Sequence, residues 1–230
     1  MIKITSYTLD NQIMLSEDRP FLLIIENPTE YLRTVQSLYN DFLGPNEGYL
    51  FWDDDKEISP AKQGEMLVNP FSFEVSDKKI ITLLYKKLQQ NYLDGSFLLG
   101  FNKINSEVSS FLAELTQTVD FSIDYEEIAI EDLLKICAVK PAKEYQDYLE
   151  KIICYINIFA ELKSISFFIF VGLKQVLSDK QLKQLYQHCR LQKISLLLLE
   201  SSKLRPLLPE EKAIIITEDL CEIVENYEDA

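Results

Sequence analysis

Glycine is scarce in this chain, six in 230 residues, and none lies in the segment where a nucleotide-binding protein carries its phosphate loop. That segment is "FLLIIENPTEYLRTVQSLYNDF", residues 21–42, which reads as a buried strand, a short turn and an amphipathic helix. Its turn, Glu26-Asn27-Pro28-Thr29, has no glycine, no lysine and no Lys-Ser/Thr pair. A phosphate loop needs glycines so that successive N–H groups turn inward, and a lysine to reach the outer phosphates. Histidine is rarer still: His188 stands alone, with no GxSxG or catalytic-cysteine signature beside it, so a catalytic triad is not expected. The four cysteines, Cys137, Cys154, Cys189 and Cys221, form no CxxC pair. They read as reduced cytosolic thiols packed as small hydrophobes, and a thiolate zinc site is not expected. Long apolar runs are also missing. Ile194 to Leu199, broken by Ser195, is far short of the ~20 residues of a membrane span, and Met1-Ile-Lys-Ile opens no signal-peptide pattern. A soluble, cytoplasmic protein with no membrane partner is expected.

What is abundant is negative charge. With 23 Lys plus Arg against 37 Asp plus Glu the formal charge is −14, so the whole-molecule field repels nucleic acid and any DNA-binding face must be local. An apolar content of 47% excludes a largely disordered chain.

The residue pattern predicts an α/β fold. Residues 2–14 alternate around Asp10-Asn11 as a hairpin, Phe21 to Ile25 follow as a buried strand, and a helix over about 29–42 ends at Gly44-Pro45-Asn46. Tyr49 to Trp52 reads as a strand stopped by Asp53-Asp54-Asp55, an acidic run expected to be a solvated loop. From Ser76, a candidate N-cap, Ile80, Leu83, Leu84, Leu88 and Leu93 fall near one helical face, opening a helical lobe. Further helices are expected over about 96–118 and 130–137, with the lobe closing near Pro141. A helix over about 144–162 returns the chain to a β/α rhythm. "SISFFIFVG" (164–172), "KISLLLLE" (193–200) and "AIIITE" (213–218) read as strands covered on both faces, and Ser178 with Gln181 forms a capping-box pattern between the first two. The expected domains are an α/β head, 1–75 with 141–230, and a helical lobe, 76–140. From Glu210 on, eight acids against Lys212 alone suggest a solvated or fraying tail.

Three constellations bear on function. Four aliphatics followed by Glu200 resemble the second motif of an ATPase, though buried strands also end in a carboxylate for solubility and capping. "VDFSIDYEEIAIED" (119–132) holds six acids and no base. It reads either as charge complementary to a helix N-terminus or as a calcium site, since calcium takes six to eight hard oxygens, although no EF-hand pattern is present. Lys78, Lys79, Lys86 and Lys87 recur eight apart on one helix, and residues 139–193 carry nine Lys plus Arg against five Asp plus Glu. These lysines are either solvated faces or contacts to duplex phosphates without sequence readout.

The segments "DYEEIAIEDLLKICAVK" (124–140), "YLEKIICYINIFAELK" (148–163), "SISFFIFVGLKQVLSDKQLKQLYQHC" and "ISLLLLE" together resemble the small Csn-type protein family of type II-A CRISPR loci. The resemblance is strongest over about 119–200 and extends to residues 22–42 and 67–89. It implies a parallel-rich sheet head resembling a nucleotide-binding fold without a phosphate loop, and an inserted helical leg. It further implies a homotetrameric ring that encircles double-stranded DNA ends, is not an enzyme, and acts in spacer acquisition with the CRISPR integrase and effector nuclease. It also implies a calcium ion near the head–leg boundary, for which Asp124, Glu126, Glu127 and Glu131 are the candidate ligands. Lys78, Lys79, Lys86, Lys87, Lys140 and Lys143 are the candidate DNA contacts. The alternatives are a degenerate NTPase and an acidic protein-interaction module with no DNA role.

Overall fold

A computed structural model describes residues 1–44 and 48–226; Pro45 and Asn46, named above as helix stops, lie outside the described residues. The chain divides into two compact units, Met1–Glu74 with Tyr145–Ala230, and Val75–Glu144. In chain order the elements are β1 (Ile2–Ser6), β2 (Ile13–Leu15), β3 (Phe21–Ile25), α1 (Pro28–Leu43), β4 (Tyr49–Asp53), β5 (Lys56–Ile58), the single turn α2 (Pro60–Gln63) and β6 (Gly64–Leu67). The second unit holds α3 (Lys78–Leu93), α4 (Leu98–Thr116) and α5 (Ile130–Ile136). The first unit resumes with α6 (Tyr148–Lys163), β7 (Phe167–Val171), α7 (Asp179–Leu191), β8 (Ser195–Glu200), β9 (Lys212–Ile216) and β10 (Glu222–Asn226).

Two sheets build the first unit among the described residues. A six-stranded sheet runs β10-β9-β3-β8-β7-β6, parallel throughout except for β10, which is antiparallel to β9. A four-stranded antiparallel sheet runs β2-β1-β4-β5. The α/β expectation holds. β3 lies between β8 and β9, and all five of its residues are buried, which is why its apolar run is unbroken. Alternate side chains divide between the faces. Phe21, Leu23 and Ile25 join Phe167, Ile169, Leu197, Leu199, Ile214 and Ile216 in a core shared with Ile2, Ile4, Ile13, Leu15 and Phe51 of the smaller sheet. On the other face Phe168 of β7 meets Phe159 and Tyr155 of α6, with ring centroids 6.4 and 6.2 Å apart.

Several local expectations are corrected. The first lobe helix starts one residue later than Ser76 suggests: Asp77 is the N-cap, its Oδ1 accepting the Ile80 N–H at 2.9 Å. The helix expected over 144–162 starts at Tyr148, because Asp147 caps it through the Glu150 N–H at 2.8 Å. Leu93, expected on the apolar face, is 77% exposed at the helix end. Three strands have no counterpart among the expected elements: β5, β6 and β10. β5 pairs with β4 across the turn at Asp54, whose φ is 50°. β6 pairs with β7, where a Cβ on Gly64 would lie 2.3 Å from the buried Phe167 ring, so the backbone approach there requires glycine.

The acidic C-terminal stretch is not a tail over its described length. β9 and β10 hydrogen-bond along five residue pairs, and the charges of β10 have local uses. Glu222 accepts the N–H groups of Asp10 (2.6 Å) and Asn11 (3.0 Å) in the β1–β2 turn, and Glu225 pairs with Lys203 at 2.7 Å.

Candidate functional site

In an open parallel sheet ligands are received outside the carboxyl ends of the strands. At the end of β3, Asn27 is the N-cap of α1: its Oδ1 accepts the N–H groups of Thr29 (3.1 Å) and Glu30 (3.0 Å). Pro28 has no N–H, and Tyr31 donates to the Asn27 carbonyl at 2.9 Å. The first turn of α1 therefore has its donors engaged by its own cap. Asn27 Nδ2 in turn donates to the Glu218 carbonyl at 3.0 Å, tying this turn to the end of β9.

Beside it, Glu200 ends β8 opposite Ile24 of β3. Its side chain is 1% exposed; Oε1 accepts the Lys174 N–H at 2.8 Å, while Oε2 is buried with no partner. Burial pushes its carboxyl up to about 7 against the opposing pull of the Lys174 N–H and of the Lys174 and Arg205 charges. In the same cluster Lys174 Nζ donates to both oxygens of Glu211, at 2.9 and 2.7 Å. Glu211 also accepts the Tyr186 hydroxyl (2.6 Å) and the Leu208 N–H (2.8 Å). Burial and the neighbouring Glu211 hold the Tyr186 phenol well above its ordinary value. The strand-end position singles out Glu200 in the sequence. Lys174, Glu211 and Tyr186 carry no such signal, because nothing local links residues so far apart.

In the second unit the acidic segment lies along α4. Asn105 exchanges hydrogen bonds with the Ile128 N–H and carbonyl, both at 3.2 Å, and Tyr125 donates to the Ser109 carbonyl at 3.2 Å. Asp124, Glu126 and Glu127 are exposed in the extended approach to α5; Glu131 lies in its first turn, bonded to Gln89 of α3. Asp124 Oδ1 accepts the Tyr125 N–H at 3.0 Å. Among the described residues no group of three or more His, Cys, Asp or Glu is gathered so as to hold a metal.

The candidate DNA contacts are dispersed over this unit. Lys78, Lys79 and Lys86 are exposed on α3, Lys87 is half-buried, and Lys140 and Lys143 are exposed after α5. Sequence reasoning missed a cavity of about 430 Å³ bounded by Leu88, Tyr92, Phe97, Phe101, Ile104 and Leu133. Tyr92 and Phe101 meet edge to face there, 5.3 Å apart. The unit also exposes Leu99 (83%), Phe121 (70%) and Phe111 (63%). The signal is present in the apolar character of "LLGF" and "FLAEL", which lie within the helix expected over about 96–118.

The cysteines divide, contrary to the expectation that all are core. Cys189 is buried, its thiol pushed up to about 12 by burial, and Cys154 is half-buried. Cys137 caps α5 and Cys221 sits between β9 and β10, both exposed because they lie in turns. His188 is half-buried, its Nε2 donates to Asn157 Oδ1 at 2.8 Å, and burial lowers its pKa. Among the described residues no helix is long and apolar enough to cross a membrane.

Comparison with known proteins bears on the identity of this arrangement. A CRISPR-associated protein Csn2 from Streptococcus agalactiae is 24% identical over 211 residues, covering 89% of this chain and 91% of the relative. Among solved structures, an ATP-binding cassette dimer in a post-hydrolysis state bound to ADP and Pi aligns over 100% of both chains. It does so with 9% identity and a TM-score of 0.47, a likeness too low to carry functional argument. The family model for CRISPR-associated Csn2 proteins (Cas_Csn2) matches residues 42–220, from the end of α1 through the last parallel strand, and the chain belongs to that family of CRISPR-associated proteins.

Proposed function

We propose that the protein binds double-stranded DNA ends without regard to sequence, as a homotetrameric ring threaded onto the duplex, and serves spacer acquisition alongside the CRISPR integrase and effector nuclease. Membership of the Csn2 family is the observation that carries this reading. Lys78, Lys79 and Lys86, exposed residues of one helix, support it physically, because a subunit of charge −14 can hold a polyanion only through a local basic strip repeated around a ring. Exposed Leu99, Phe111 and Phe121 support self-association through the second unit.

The role proposed is non-catalytic. With its first-turn donors taken up by Asn27, α1 offers no free cradle for a triphosphate, and Glu200 is walled in behind it. Calcium belongs to the same proposal, with the carboxylates of Asp124, Glu126, Glu127 and Glu131 as its ligands.

The deciding experiment compares retention of linear and closed-circular duplex of one sequence. A threaded ring holds linear DNA and fails to load on circles. Equal binding to both would remove threading, and binding to neither would favour an acidic protein-interaction module.

A further inference from the structure

The buried charges around the end of β8 do not balance in the way their number suggests. Lys174 spends its ammonium on both oxygens of Glu211. Arg205 spends its guanidinium on Asp179 Oδ1 (2.7 Å) and on the carbonyls of Lys174 and Leu177, the latter at 2.9 Å. Arg205 thereby clamps the connection between β8 and β9 onto the turn from Lys174 to Asp179. Glu200, 1% exposed, faces the same cluster with Oε2 unpartnered and both nearby cations already engaged. Tyr31 of α1 and Tyr186 of α7 complete its titratable surroundings, with Glu211 as the second carboxylate.

We propose that Glu200 is a proton-operated latch on the 201–211 connection: uncharged, it leaves Arg205 clamped on the 174–179 turn, and charged, it competes for Arg205 and loosens that clamp. The physical cause is the unpaired oxygen. A carboxylic acid tolerates a buried site with one hydrogen bond, whereas a carboxylate there is shut off from bulk water with no donor on Oε2 and no cation paired to it directly, and the guanidinium is the group able to supply one. Asp179 and the two carbonyls then lose their donor. The connection leads directly into β9 and β10, so the state of Glu200 is transmitted to that edge of the sheet.

The sign follows from the direction of the shift. The carboxyl is raised from 4.5 to about 7 in the folded chain, so folding favours its protonated form. The stabilisation is fully present below about 4.5, is lost as pH rises to about 7, and changes no further above that.

The test measures melting temperature and backbone hydrogen exchange, corrected for intrinsic rates, from pH 5.5 to 8 in the wild type, Glu200→Gln and Arg205→Gln. In the wild type, melting temperature falls with pH and protection of residues 201–211 drops on the order of tenfold. Glu200→Gln removes both slopes. Arg205→Gln leaves residues 201–211 poorly protected at every pH, and this arm decides the matter if Glu200→Gln does not fold. Parallel pH slopes in wild type and Glu200→Gln overturn the proposal, as does protection of residues 201–211 that ignores pH in the wild type or survives Arg205→Gln.

Discussion

Lys174 Nζ lies 2.7 Å from Glu211 Oε2, and the two side chains, 4% and 0% exposed, form an ion pair shut away from water. Because the pair is buried, its members depend on each other. Replacing Lys174 by Met strands the Glu211 charge against Tyr186 and the Leu208 N–H, and is expected to cost about 3–5 kcal/mol. Exchanging both, Lys174→Met with Glu211→Leu, removes the stranded charge and is expected to recover more than half of that loss. Urea denaturation of the single and double variants checks this; a double variant as unstable as the single would show that packing rather than charge pairing sets the cost.

Asn27 does two jobs at the end of β3, capping α1 through Oδ1 and reaching the Glu218 carbonyl through Nδ2. Asn27→Ala loses both and is expected to cost about 1–2 kcal/mol, while Asn27→Asp keeps the cap and falls in between. Neither variant is expected to hydrolyse ATP, because neither substitution supplies the glycines or the lysine of a phosphate loop. Magnesium-dependent hydrolysis by the wild type, lost on Glu200→Gln, would defeat the non-catalytic reading.

If α3 meets phosphates, Lys78→Glu with Lys79→Glu should weaken binding to every linear duplex alike. Removing two ammonium groups per subunit should also flatten the dependence of log K on log salt, by roughly 0.9 for each phosphate no longer neutralised. Titrations at several salt concentrations on two unrelated sequences read both effects. Unchanged affinity would move the DNA surface off α3.

For calcium, drawing Asp124, Glu126, Glu127 and Glu131 onto one ion would bridge the segment along α4 to the first turn of α5. Saturating calcium is then expected to raise the melting temperature of the wild type, and Glu126→Gln with Glu127→Gln to remove that increment. A melting curve indifferent to calcium would return these acids to simple solvation and helix N-terminal complementarity.

How much can be read in the chain varies with the length of the signal. The stretch from β7 through α7 to β8 is legible, down to the Ser178–Gln181 capping box, because a buried parallel strand must be apolar throughout and a helix start must be capped. β6 is not: "GEML" is four residues long, opens with glycine and includes a glutamate, and becomes a strand through its pairing with β7 and the ion pair between Lys163 and Glu65 at 3.1 Å. The C-terminal acids mislead for the opposite reason. Their local density reads as a solvated run, yet Glu222 is held by the N–H groups of Asp10 and Asn11 and Glu225 is paired with Lys203, partners that no local pattern points to.

What the sequence determined by itself was the class of fold, the alternation of strand and helix, and the lack of a glycine-bearing loop after β3, because propensity, period and backbone chemistry act over a few neighbouring residues. Only the tertiary structure decided that the first-turn donors of α1 are taken by Asn27, that Lys174 meets Glu211, and that Glu200 is left with an unpaired oxygen. Each of these depends on which side chains a distant part of the chain brings within hydrogen-bonding distance. No local pattern encodes that distance.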